Sequence, residues 1–251
     1  MTYLLIHGGG STARFWDRLV PHLDKPALAV DLPGRNGKPA DLATLTVDDE
    51  VASVLADVEA AGLVDPIVVV AHSSGGLVVP GVVAGLGSRV SQVVLNAASV
   101  PPEGGRGLDC MQDRHREGVL AAIEIAERDG IVLTTQGPPA DPEAFRGTYG
   151  GDPLDDECLA FVVDPVRCVC DTLHHYFQPV HWSTVPDDLA VTYVLNERDR
   201  PVPAALQEKM VARLPHPPTV VRVDTGHVPP VTDPAAFAAI VAAAAAAGSN
   251  A

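Results

Sequence analysis

Positive charge is scarce in this 251-residue chain: 17 Lys and Arg stand against 32 Asp and Glu, a formal net charge of −15. No run of Lys or Arg supplies the local cationic excess that neutralises phosphates, which argues against a nucleic-acid partner. Aromatic residues make up 4% and charged residues 20%, while hydrophobic residues reach 47%. That balance excludes a disordered tail, a collagen-like chain and a charge-dominated coiled coil. No window approaches the roughly 20 uninterrupted apolar residues that a membrane-crossing helix needs. The opening Met1-Thr2-Tyr3-Leu4-Leu5-Ile6-His7-Gly8 lacks a basic segment, and its apolar stretch is too short for a secretory signal. A cytoplasmic protein with no membrane partner is expected.

Cysteine is also rare. The four residues, Cys110, Cys158, Cys168 and Cys170, lie mid-chain without a paired CxxC framework. Cys170 and His174 have helical i, i+4 spacing, which would suit a zinc ligand pair. Cys168 and Cys170, however, point to different sides of any helix, so buried free thiols and no metal are expected.

What the chain has is alternation. Apolar runs rich in Val, Leu and Ile occur at residues 3–6, 27–31, 67–71, 92–96, 190–196 and 219–223. Little polar alternation marks them as parallel strands covered on both faces. Helical patterns lie between them at 11–23, 47–61, 75–86 and 203–214, with an Ala-rich helix at 235–247. Thr46 suits the N-cap of the second, with Asp48, Asp49 and Glu50 beside its positive dipole end. This order predicts an α/β fold, a doubly wound, mostly parallel sheet of about six strands. Pro101-Pro102-Glu103-Gly104-Gly105 breaks the rhythm, which resumes near Pro186. Residues 1–100 and 186–251 are therefore expected to form the core, and 101–185 a helical cap insertion. Helices are predicted there at 119–128 and 156–177, with a loop at 136–142.

Four motifs fall at strand ends. Val70-Ala71-His72-Ser73-Ser74-Gly75-Gly76 runs from a strand into a helix and places Ser73 between small residues at minus two and plus two. That is the nucleophile-elbow pattern, with Ala71 in place of the first Gly. Ser74 fits less well, because its minus-two neighbour is the bulky His72. His7-Gly8-Gly9-Gly10-Ser11 follows the first strand, and its bare backbone can approach a ligand closely. The N–H of Gly9, or of Gly10, together with that of Ser74, is expected to form an oxyanion hole. A dinucleotide loop would need G-x-G-x-x-G and a ribose-binding acid, whereas Asp31 sits in an Asp31-Leu32-Pro33-Gly34 turn. Asp199 and His227 follow the fifth and sixth strands, with Asp224 as the fallback acid. The chain order Ser73, Asp199, His227 is the nucleophile–acid–base order of α/β hydrolases.

Over its full length the chain resembles the α/β-hydrolase-fold superfamily, and more narrowly the plant-type methylesterase and hydroxynitrile lyase branch with its bacterial relatives. The resemblance is carried by Ile6-His7-Gly8-Gly9, Phe15-Trp16, Asp31-Leu32-Pro33-Gly34, His72-Ser73-Ser74-Gly75-Gly76 and Gly226-His227. It implies that the first strand here corresponds to the family's third. It also implies that lyases of the branch carry Thr where this chain has Gly8 and Lys where it has Val228. The expected activity is hydrolysis of a small to medium carboxylic ester through Ser73, His227 and Asp199, without cofactor or metal. The alternatives are a lyase, a carbon–carbon or thioester-cleaving enzyme, a natural-product cyclase, or a ligand receptor on the same fold. Gly8, Gly10, His72 and Trp182 are candidate pocket residues, and among the cap aromatics His174, His175, Tyr176, Phe177 and His181 are further candidates. Phe15 and Trp16 are expected to pack the helix. A small-molecule substrate is the expected partner, and oligomeric state is not readable.

Overall fold

A computed structural model describes residues 1–135, 137–148 and 154–248. Six strands, β1 (Thr2–Ile6), β2 (Ala27–Val30), β3 (Ile67–His72), β4 (Val90–Asn96), β5 (Ala190–Asn196) and β6 (Thr219–Val223), form one sheet in the order β2-β1-β3-β4-β5-β6. Every pairing is parallel. Helices α1 (Val47–Ala61), α2 (Val79–Leu86), α3 (Asp113–Asp129), α4 (Pro142–Thr148), α5 (Asp156–Val163), α6 (Ala204–Val211), α7 (Pro229–Thr232) and α8 (Pro234–Gly248) accompany it. None of the described helices is long and apolar enough to cross a membrane.

Parallel strands with both faces covered read as continuous apolar runs because alternate residues enter different layers. Leu4, Ile6, Val69 and Ala71 pack into one core layer with α1 and α2 residues, while Tyr3, Leu5, Val68 and Val70 pack into the other with α8. α1 starts where the sequence places it. Thr46 accepts from the Asp49 N–H and the Asp49 carboxylate accepts from the Thr46 N–H, both at 3.0 Å, a reciprocal capping box.

Three helical expectations need correction. Residues 11–23 form two short 3-10 turns, Ala13–Arg18 and Val20–His22, because Pro21 lacks the amide a continuous helix requires. The 75–86 pattern divides into a 3-10 turn, Ser73–Leu77, and α2. The pattern at 156–177 is helical only to Val163: Pro165 follows, and the next residues run extended, with the Val169 N–H donating to the Gly10 carbonyl at 2.8 Å. Of the 136–142 loop, Gln136 lies outside the described residues and Pro142 already belongs to α4.

The site's location follows from topology. β2 and β3 lie on opposite sides of β1, so the strand order reverses there and a crevice opens beyond the carboxyl ends of β1 and β3. Register aligns Ile6 with Ala71 and Val30, and His72 with Asn96. The loops leaving β1, β3, β5 and β6 therefore emerge on one edge.

Candidate active site

Ser73 leaves β3 with φ +52°, a left-handed conformation that is costly for a residue with a Cβ. The turn is held by its neighbours. A Cβ on Gly75 would lie 2.5 Å from the His7 carbonyl oxygen, and one on Gly76 2.5 Å from that of Ser99. Only glycine fits at either place, which accounts for the small-residue pattern after the serine.

Three residues from three strand ends meet at this turn. The Ser73 hydroxyl donates to His227 Nε2 at 3.1 Å, and His227 Nδ1–H donates to Asp199 Oδ2 at 2.6 Å. The other oxygen of Asp199 accepts from the Val202 N–H at 2.8 Å, which fixes the carboxylate's orientation. Asp224 is turned away, pairing with Arg198 at 2.8 Å with its side chain 79% exposed. His72 props the arrangement from behind: its Nε2–H donates to the His227 carbonyl at 2.9 Å, and its ring stacks on Phe15 at 4.8 Å. Burial, with His227 nearby, pushes the His72 pKa well below the ordinary value, so it remains a neutral strut.

Ser73 and His227 border a cavity of about 270 Å³. Gly8, Gly9, Gly10, His72 and Val228 also line it. Trp182 does not. It is 1% exposed and packs with Val180 and Val185 in the core beside α2, where its large apolar ring is removed from water. Phe15, expected as packing, lines the cavity as well. The opposite wall comes from the 101–185 insertion, in Thr135, Phe145, Phe161, Cys168 and Tyr176. Of these the sequence had singled out only Tyr176 as pocket lining. The others stand in irregular segments or short helices with no pattern to mark them. Of the remaining insertion candidates, His174 and Phe177 face a separate groove, and His181 pairs with Glu103 at 2.9 Å on the surface. The four cysteines are free, and Cys170 is exposed rather than buried because its segment is extended.

Beneath the glycine loop lies a buried ion network. Arg35 pairs with Asp171, and His175 Nδ1 meets Glu50 Oε1 at 3.1 Å, with all four side chains at most 2% exposed. Asp171 also accepts the Gly10 N–H at 2.8 Å, which pins the loop to the insertion. Glu50, Asp171 and His175 bring donor atoms within 4.8 Å of one another. Arg35 supplies a positive charge beside these three groups. Burial opposes charge on His175, but Glu50 and Asp171 outweigh it and raise its pKa. A raised folded pKa adds stability that is complete below about pH 6.5 and lost as pH rises through the folded value. The melting temperature of the wild type is therefore expected to fall more steeply than that of Glu50→Gln between pH 6 and 9. Parallel curves would show that His175 is not charged in the fold.

Comparison with known proteins agrees with this architecture. A model of the alpha/beta hydrolase family matches residues 3–240. Lipase LipV of Mycobacterium tuberculosis is 26% identical over 254 residues, covering 95% of this chain and 90% of the lipase. An extracellular α/β-hydrolase from a Paenibacillus species superposes with a TM-score of 0.77 at 17% identity, covering 97% of this chain and 98% of that one. Methylesterase MES16 from Arabidopsis superposes with a TM-score of 0.71 at 18% identity, covering 98% of this chain and 99% of that one. With nearly the whole sheet and both ends of the cavity inside the matched range, the chain belongs to the alpha/beta hydrolase family and is a hydrolase.

Proposed function

We propose that the protein hydrolyses small to medium carboxylic esters through Ser73, His227 and Asp199, by way of an acyl-enzyme. The observation that carries this reading is the hydrogen-bonded chain from Ser73 through His227 to Asp199 at the floor of a cavity. His227 takes the Ser73 proton as Oγ attacks the acyl carbon, then delivers it to the leaving alcohol. Asp199 keeps the proton on Nδ1 and stabilises the imidazolium. Water, activated by the same imidazole, then releases the acid. The proposed oxyanion donors are the N–H groups of Gly9 and Ser74. Gly10 is disfavoured because its N–H is already given to Asp171. One such donor is worth roughly 3–4 kcal/mol of transition-state stabilisation.

Residues 101–185 act as a cap in this reading, supported by the wall that Phe145, Phe161 and Tyr176 raise opposite Ser73. The phenyl rings and Val228 favour an uncharged, largely apolar ester. The lipase and methylesterase named above fit ester chemistry in general. Four unpaired thiols favour a reducing, cytoplasmic setting. A panel of p-nitrophenyl esters of graded acyl length, run beside thioesters, tests the reading; no turnover of any ester would sink it.

Cyanohydrin cleavage is the rival chemistry, and two positions oppose it. A Cβ on residue 8 would lie 2.8 Å from the Ser73 Cβ, so the threonine that lyases of the resembled branch carry does not fit. Where those lyases place a lysine, Val228 is 3% exposed and lines the cavity. Cyanide would depart against an apolar wall without a counter-charge, a cost of several kcal/mol. Aryl or methyl esters are expected to turn over, with negligible cyanide release from mandelonitrile. Cyanide release without esterase activity would show that these two positions do not decide the chemistry.

A further inference from the structure

We propose that the Tyr176 phenol is a catalytic residue: it donates a third hydrogen bond to the oxyanion that forms from the ester carbonyl as Ser73 attacks, beside the N–H groups of Gly9 and Ser74. The proposal rests on the ester-hydrolase reading above, and its first support is how close the phenol comes to the glycine loop. A Cβ on Gly9 would lie 2.9 Å from Tyr176 Oη and 3.0 Å from Ser74 Oγ. Any side chain at residue 9 would therefore push the phenol away. Glycine at that position leaves the backbone N–H bare and lets a hydroxyl from the insertion reach the same place.

The phenol is also held there. Its ring packs edge-on against His175, with centroids 4.2 Å apart, and His175 is tied to Glu50. On another side the ring meets Gly107, where a Cβ would lie 2.7 Å from its Cδ1. Tyr176 lines the same cavity as Ser73 and His227. Burial raises the pKa of the phenol, which stays a donor throughout the working pH range. The Ser74 side chain hydrogen-bonds it. With Ser74 as the donor, the phenol O–H is left for a ligand, and the Asp171 carboxylate beside the same position is the acceptor that a substrate oxygen must outcompete.

The charge balance of the cavity gives such a donor its use. Arg167 is the one cationic side chain among the described lining residues, and it is engaged by Asp17 at 2.9 Å and Asp164 at 3.1 Å. Apart from the His227 imidazolium, an oxyanion here is met by neutral dipoles, and a preorganised phenol is an effective one.

The test compares Tyr176→Phe with the wild type on p-nitrophenyl acetate, with Ser73→Ala run in parallel. The phenyl ring keeps the contacts to His175 and Gly107. The expected result is a fall in kcat of about 10- to 100-fold with KM changed by less than about twofold, the pattern of a bond made only in the transition state. Unchanged kcat, or a loss confined to KM, overturns the proposal. An active Ser73→Ala would instead overturn the serine-hydrolase reading, so the two failures are distinct. Should Tyr176→Phe lower the melting temperature too far to assay, 3,5-difluorotyrosine at position 176 preserves the shape with a more acidic phenol. Its kcat should then fall on the alkaline side, where the wild type stays level. Superimposable pH profiles would overturn the proposal.

Discussion

Ser73→Ala should lower kcat for p-nitrophenyl esters by about a millionfold, the scale seen when a serine hydrolase loses its nucleophile. The substitution removes one oxygen, the atom that donates to His227 Nε2 at 3.1 Å. Alanine suffers no more than serine from the φ of +52°, and Gly75 and Gly76 still close the turn, so the fold should persist. A fluorophosphonate should add once to the wild type, on the peptide containing Ser73, and not at all to the variant. Ser74 is a poor substitute nucleophile: it is 6% exposed, and its hydroxyl faces Gly9 and Tyr176. Labelling that survives in Ser73→Ala, or that maps to Ser74, would remove Ser73 from its proposed role.

Asp199→Asn is expected to cost about 10⁴ in kcat with little change in structure. The Val202 N–H needs an acceptor at 2.8 Å, so the amide oxygen of asparagine must face it. The amide NH₂ is then left opposite His227 Nδ1, now 2.6 Å from a carboxylate oxygen. Two N–H donors cannot face each other, so the imidazole proton moves to Nε2, where it can no longer accept from Ser73. Asp224→Asn is the matched control. Its carboxylate is exposed and paired with Arg198, and kcat should stay within about twofold. A loss below tenfold in Asp199→Asn, or an equal loss in the control, would reassign the acid.

The strands were legible because each is a run of apolar residues that must enter a core on both faces, a demand met within five or six positions. β5 and β6 coincide with their expected bounds, and the other four differ from theirs by one or two residues at an end. Helices were read less well wherever proline or a long-range backbone contact intervened. Pro21 and Pro165 shorten two of them, and the extended stretch after Val163 is held by pairing with Ser11 and Gly10, far away in sequence. Periodicity carries no record of such a partner.

Within the site the division follows the same cause. Motifs at Gly8–Gly10, Ser73–Gly76, Asp199 and His227 are local: tight turns at strand ends demand small residues and expose a few polar ones, and both leave a mark in a short window. By itself the sequence thus determined a parallel α/β sheet, the four loops on one edge of it, and the residue types that those loops present. Only the tertiary structure decided that Asp199 and not Asp224 reaches His227, because the choice depends on the direction each carboxylate takes on leaving its strand. It also placed Trp182 in the core, turned Phe15 and Tyr176 into the cavity, and put four buried ionisable side chains under the glycine loop. The ion pairs Arg35–Asp171 and Glu50–His175 join residues more than a hundred positions apart. Packing and charge pairing set them in three dimensions, and no spacing along the chain encodes them.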